Sequence, residues 1–257
     1  MSEQLTPVEI FNRSAEEGRR RLDQGNLELV ATGFVAGFTI VFGLIAMAVV
    51  EGLTGPVAGQ ASELFGAMAF GVGVVFLVIG RAELFNENFL DPIAAAFVSE
   101  EGGMPRKIAR LWLWTIIFNF IGGGLMVLVI SVEGTLPTGA PDVLKQHAEH
   151  LAESGNWASF MRSIIGGALV ALLSFLVIAS RDATGRIVLA YIVGVLLALG
   201  PFEHVIVSVL HLFSGWTHGA AITGGDIARV AAIALVGNLI GGVGLVTLSH
   251  AAQAKGK

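Results

Sequence analysis

Long apolar runs separated by short polar stretches dominate the chain from residue 29 onward. A helix needs about 20 apolar residues to cross a bilayer. Six runs reach that length or come near it: Leu29–Val50, Leu64–Phe97, Leu111–Val132, Ser163–Ser180, Ile187–Phe213 and Val230–His250. Two of them are interrupted. The second breaks at "GRAELFNENFLDP", where Arg81, Glu83, Asn86, Glu87, Asn88 and Asp91 arrive before apolar sequence resumes, and the fifth breaks at "GPFEH". Ahead of the runs, Pro7, the apolar Ile10 and Phe11 and the late Arg19–Arg21 predict a short amphipathic helix. A second polar helix is predicted in the connection Glu133–Trp157, from "APDVLKQHAEHLAESG". The expected division is an N-terminal segment 1–27, a six-helix membrane domain 28–251 and a short tail 252–257.

An internal repeat organises the runs. The third contains "NFIGGGLMVLVIS" and the sixth "NLIGGVGLVTLS", both of the form N-x-I-G-G, while the broken runs are the second and the fifth. Three spans repeated after three spans must be inverted, because three is odd. Inverted repeats with breaks at matching positions point to a substrate path at mid-membrane. Unwound backbone cannot face lipid, where its N–H and C=O groups lack partners, so the breaks are expected to line a cavity.

Each broken span should restart near mid-membrane, the second from about Asn88 as N-cap with Asp91–Pro92 in the first turn, the fifth near Phe202. Both half-helix N-termini then point inward, each equivalent to roughly half a positive charge. Such an arrangement favours anions or polar neutral solutes and opposes cations. His204 at the second break reads as proton donor to, or hydrogen-bond partner of, a passing solute. Glu83 and Glu203 are expected to satisfy N–H groups of the unwound backbone, and Arg81 to pair with Glu83 or another of these carboxylates. Glu87 stays open between a structural and a pore-facing role.

Composition agrees with a membrane protein: 54% of the 257 residues are hydrophobic and only 14% charged, against about 25% charged in soluble domains, and mean hydropathy is +0.77. Net charge is -5 and cysteine is absent, which excludes disulfides and thiolate metal sites and argues against nucleic acid as a partner. No metal, nucleotide or organic cofactor is suggested, nor a catalytic constellation. Lys and Arg concentrate in the N-terminal segment, after the second and fourth runs, and at Lys255 and Lys257, so both termini are expected in the cytoplasm of a multi-pass protein of a bacterial inner membrane.

These residues resemble the formate/nitrite transporter family from about residue 25 onward. Its motif G-x-[DE]-L-F-T-x-N lies over "RAELFNEN" with Glu83, Leu84, Phe85 and Asn88 kept and Arg81 at the glycine. Its motif F-x-H-x-x-A-N-M lies over "FEHVIVSVL" with Phe202 and His204 kept, and its glycine-rich asparagine signature matches "GNLIGG". The resemblance implies an aquaporin-like protomer, a homopentamer with one pore per protomer, and a small-anion substrate such as formate or nitrite. It places the central histidine at His204 and a loop threonine at Asn86. Apolar constrictions fall on Phe70 and Leu197 on one side and on Val74 and Val170 on the other. The departures are Asn86, Glu87 where a small residue is usual, Ser208 for an asparagine, Leu151 for a lysine and Gly167 for an asparagine. A lost lysine and a gained carboxylate keep open a pore for a neutral or cationic solute, or a closed-pore scaffold or sensor.

Overall fold

The computed structural model describes residues 5–255; residues 1–4 and 256–257, the extremities of the expected N-terminal segment and C-terminal tail with Lys257, lie outside the described residues. Among the described residues the secondary structure is helical throughout. In order, α1 is Pro7–Leu22, α2 Asn26–Ala58 and α3 Ala61–Ile79. A 3-10 turn, Phe85–Phe89, leads to α4, Asp91–Val98. Then come α5 Met104–Ile130, α6 Ala140–Glu153, α7 Asn156–Ala179, α8 Ala183–Leu199 and α9 Val205–Thr217. The last element, α10 Gly224–Leu239, continues through a π-helical stretch Ile240–Thr247 into α11, Leu248–Lys255.

Among the described residues, five helices are long and apolar enough to cross a membrane: α2, α3, α5, α7 and the continuous Gly224–Lys255. Helices α8 and α9 are shorter and also apolar. The outward faces carry large apolar side chains, for example Leu113, Ile117, Ile121, Leu125 and Leu128 along α5. A water-facing surface would not present such a stripe, and the chain is a multi-pass membrane protein with an aquaporin-like protomer.

The inverted repeat is visible contact by contact. In the first half α2 packs on α3 and α5; in the second α7 packs on α8 and α10. Gly37 of α2 lies against the Asn119 carbonyl of α5, and Gly167 of α7 lies against the Asn238 carbonyl of α10. Gly122 meets the Phe34 carbonyl as Gly241 meets that of Ile164. A side chain at any of the four would overlap backbone, so the shared N-x-I-G-G string records one close helix crossing used twice.

Helix α1 starts at a capping box, Thr6 with Glu9, and buries Ile10, Phe11, Ser14, Ala15, Gly18 and Leu22 on one face. That face lies against α4, with Gly18 on the Asp91 carbonyl. Arg19, Arg20 and Arg21 fill its last turn, where cations suit the helix dipole.

Both restarts fall later than expected. The second span resumes at Asp91 rather than Asn88, because the Asn88 amide donates back to the Leu84 carbonyl and tightens residues 85–89 into a 3-10 turn. The fifth resumes at Val205, with His204 rather than Phe202 at its start.

Candidate functional site

The two breaks meet in the middle of the bundle, and two asparagines brace them. The Phe85 N–H donates to Asn119 Oδ1 at 2.9 Å, while Asn119 Nδ2 donates to the carbonyls of Glu83 (3.0 Å) and Gly33 (2.8 Å). In the other half the Val205 N–H donates to Asn238 Oδ1 at 2.8 Å, and Asn238 Nδ2 donates to the carbonyls of Glu203 (2.8 Å) and Ser163 (2.7 Å). Both asparagines are fully buried. They meet the demand of unwound backbone in an apolar slab. This corrects the expectation that Glu83 and Glu203 do so. Their carboxylates turn elsewhere, Glu203 Oε2 accepting from the Ser159 hydroxyl at 2.6 Å and Glu83 Oε1 from Arg20 at 3.0 Å. The asparagines stood out in sequence only as members of the repeat; their signal was an amide before each I-G-G in an otherwise apolar span.

One bond joins the halves at this centre. Asn86 Nδ2 donates to Asn238 Oδ1 at 2.7 Å, so the loop residue of the first break hangs on the brace of the second. Asn238 already gives both N–H groups to carbonyls, which leaves Asn86 no choice of orientation. Its Oδ1 is buried without a partner. At the second break the His204 Nδ1 accepts from the Val207 N–H at 3.5 Å as N-cap of α9. That leaves the imidazole proton on Nε2, which is also buried without a partner. The central region therefore offers an unused donor and an unused acceptor near the N-terminus of the half-helix α9. Ser208, one turn along α9, is buried as well.

The residues assigned to constrictions, Phe70, Val74, Val170 and Leu197, are all buried in the core cluster that also holds Leu84, Phe85 and Val205. Phe85 and Phe89 stand edge-to-face with each other and with Trp112, at centroid distances of 5.1, 6.1 and 5.6 Å, and the Trp112 indole N–H donates to the Asn88 carbonyl. The Phe202 ring is half-buried and folds over Gly200.

Below this centre, on the α1 side, a vestibule of about 230 Å³ opens between Leu77, Val78, Ser174 and Val177, one turn from Val74 and Val170. Glu87 lines it, with Glu17, Arg20, Arg21, Arg81 and Arg186. The Glu87 carbonyl takes hydrogen bonds from Arg21 (3.2 Å) and Ser174 (3.3 Å). Glu87 is thus tied into the scaffold through its carbonyl and is one of the residues that line the vestibule.

Arg21 was missed as a site residue. It reaches across from α1 to Asn88 Oδ1 at 3.1 Å, and to the carboxylates of Glu83 (3.3 Å), Asp91 (3.4 Å) and Glu17 (3.4 Å). Burial opposes its charge, yet Glu83, Asp91 and Glu17 together raise its pKa further above the ordinary arginine value. Burial likewise works against Glu17, but the hydrogen bond from Arg20 and the charges of Arg21 and Arg20 hold it below the usual carboxylate range. Arg81, expected to pair with Glu83 or another carboxylate of the breaks, is exposed and reaches Glu17 of α1 instead at 3.6 Å. It sits just past the end of α3 at φ +52°, a left-handed position where glycine is at ease. That accounts for the motif glycine that Arg81 replaces.

Relatives extend over nearly the whole chain. The formate channel BtFdhC of Bacillus thuringiensis is 24% identical over 248 residues, covering 95% of this chain and 93% of its own. A solved FNT family ion channel superposes with a TM-score of 0.84 at 17% identity, over 95% of this chain and 98% of that one. A pentameric formate channel with formate bound gives a TM-score of 0.71 at 17% identity, over 88% and 96%. The model of the Formate/nitrite transporter family matches residues 8–252, from the docked α1 through both braced breaks to α11. With that match spanning the elements that build the centre, the chain belongs to the formate/nitrite transporter family.

Proposed function

We propose that the protein is a channel for small monovalent anions of weak acids, formate or nitrite, with one permeation path through each protomer of a homopentamer. The observation that carries this reading is the unpartnered His204 Nε2–H beside the N-terminus of α9. A buried donor with no protein partner is matched to a solute that accepts a hydrogen bond. BtFdhC supports the substrate and the solved pentameric channel supports the assembly. In this reading Phe70 with Leu197, and Val74 with Val170, are apolar constrictions on either side of His204. Asn86, Glu87 and Ser208 line the path. Glu83, Phe85, Asn88, Phe202 and Glu203 support the breaks. Segment 1–27 and tail 252–257 lie in the cytoplasm of a bacterial inner membrane, and residues 28–251 form the channel. His204 donates a hydrogen bond or a proton, so that the acid crosses the apolar gates uncharged.

Flux into proteoliposomes tests this. Formate and nitrite should enter, faster at lower pH, and His204→Phe should flatten that pH response and cut flux by about tenfold, the worth of one lost hydrogen bond of ~1.4 kcal/mol. Unchanged flux and pH response in His204→Phe would remove the histidine from the account. If neither anion moves at any pH while ammonium or a neutral polyol does, the anion reading fails.

Glu87 at the vestibule favours a second reading, a path for a neutral or cationic solute. The two readings part at Glu87→Thr. In an anion channel this change removes a carboxylate from the route, and anion flux should rise several-fold, to about the extent that ~1 kcal/mol of repulsion implies. A fall in flux would show that Glu87 holds the loop together and does not repel the solute.

A further inference from the structure

On the side of the bundle away from α1, Glu51 of α2, His147 of α6 and His211 of α9 come together. His147 Nε2 lies 2.8 Å from Glu51 Oε2, and the His147 and His211 rings stack with centroids 5.8 Å apart and 11° between planes. Glu51 is buried against Gly66 of α3, a position where a side chain would collide with the carboxylate. His147 is the member open to solvent, with 36% of its side chain exposed. His211 Nε2 is buried and has no partner. A buried carboxylate and two imidazoles in an apolar bundle call for a role beyond packing.

The position of His211 on α9 suggests that role. His204, Ser208 and His211 follow at i, i+4 and i+7, one face of the helix. At a rise of about 1.5 Å per residue, His211 stands about 10 Å from His204 along the axis, with Ser208 between them. Among the described residues two further histidines share these faces: His218 at the C-cap of α9, seven residues beyond His211, with its Nδ1 2.8 Å from the Ser214 carbonyl, and the exposed His150 three residues beyond His147 on α6. Helix α5 carries no titratable group between Phe120 and Ile130. On α10, Asp226 caps at Thr223 and Arg229 is engaged with Ala152, Ser154 and Asn156. Lys145 and Glu149 flank His147 on the opposite face of α6, Glu149 accepting from the Ala221 N–H. Glu63 of α3 is exposed.

We propose that Glu51, His147 and His211 form a proton-loading site that feeds His204 along this face of α9. One proton passes from bulk water to the His147–Glu51 pair and through a water molecule to His211 Nε2; as His204 gives its Nε2 proton to the anion, the Ser208 hydroxyl passes a proton to the vacated Nε2 and is itself reprotonated from His211. Each group releases the proton it received, and the net movement is one proton carried inward. This rests on the channel reading, in which His204 hands a proton to the anion.

The test uses proteoliposomes with an entrapped pH indicator, measuring formate entry and internal acidification together. The wild-type channel should acidify the interior in step with formate, and more so as outer pH falls. His211→Gln should lower acidification about tenfold, the lower end for loss of one proton-transfer group, while formate exchange between compartments at equal pH persists. Glu51→Gln should shift the outer-pH midpoint. Where His211→Gln does not yield a monodisperse protein, His147→Gln on the solvent side is read in its place. A wild-type acidification profile in these variants overturns the relay. So does a wild-type channel that carries formate without protons, although the channel reading then stands. If formate does not move at all, it is the channel reading that falls.

Discussion

Asn238→Ala is expected to prevent the protein from assembling. The side chain accepts from the Val205 N–H and from Asn86 Nδ2 and donates to the carbonyls of Glu203 and Ser163, all at 2.7–2.8 Å. Alanine leaves the Val205 N–H, the Glu203 carbonyl and the Asn86 amide buried without partners. At about 1–3 kcal/mol for each such group, the loss exceeds ~3 kcal/mol, a large share of the ~5–15 kcal/mol that holds a typical fold. The expected readout is a broad or void-volume profile on size exclusion in detergent, where the unaltered chain runs as one species. Asn238→Asp, which keeps the acceptor and loses both donors, should fall between. Asn119→Ala should be milder, since nothing corresponding to Asn86 hangs on Asn119. An alanine variant with a normal profile and melting temperature would refute the bracing role.

The second large effect is expected at Arg21. Its guanidinium serves Glu83, Asp91, Glu17, the Glu87 carbonyl and Asn88 at once, and only 14% of the side chain is exposed. Removing one partner of a buried ion pair costs about 3–5 kcal/mol, because the remaining charges lose their compensation. Arg21→Ala should therefore lower the melting temperature and free α1, seen as faster proteolysis in the α1–α2 connection, residues 23–25. Arg21→Lys keeps the charge but not the fork, and should recover only part of the loss. Unchanged melting and unchanged cleavage would mean that α1 is held by its apolar face alone.

The two predictions differ in how far the sequence foretold them. Apolar runs, their two interruptions and the N-x-I-G-G repeat are local patterns, and the helices follow them. The lengths of the breaks were misjudged by a few residues because the 3-10 turn depends on where the Asn88 amide goes. Asn119 and Asn238 could be seen to match, but their task becomes legible only when α5 and α10 lie beside the breaks. From the sequence, Arg81 is a partner for Glu83 or another of the neighbouring carboxylates. Arg20 and Arg21, some sixty residues away, take that place because α1 folds back under α4. The Glu51–His147–His211 group joins three elements and left no spacing to recognise.

The placing of the braces also has a bearing on the order in which the chain enters the bilayer. The amide that holds the Phe85 N–H and the Glu83 carbonyl of the first break comes from α5, and the one that holds the Val205 N–H and the Glu203 carbonyl of the second comes from α10, in each case the last span of its own half. While the ribosome is still making the second span, the Glu83 N–H can already find Thr32 of α2, but the Phe85 N–H and the Glu83 carbonyl acquire their partner only when Asn119 of the third span arrives; the Val205 N–H and the Glu203 carbonyl of the fifth wait in the same way for Asn238 of the sixth. Each half therefore braces its own break with its last span, the Asn86 amide of the first waits for Asn238 of the second, and a chain halted after α8 and α9 would leave the Val205 N–H, the Glu203 carbonyl and the Asn86 amide open together.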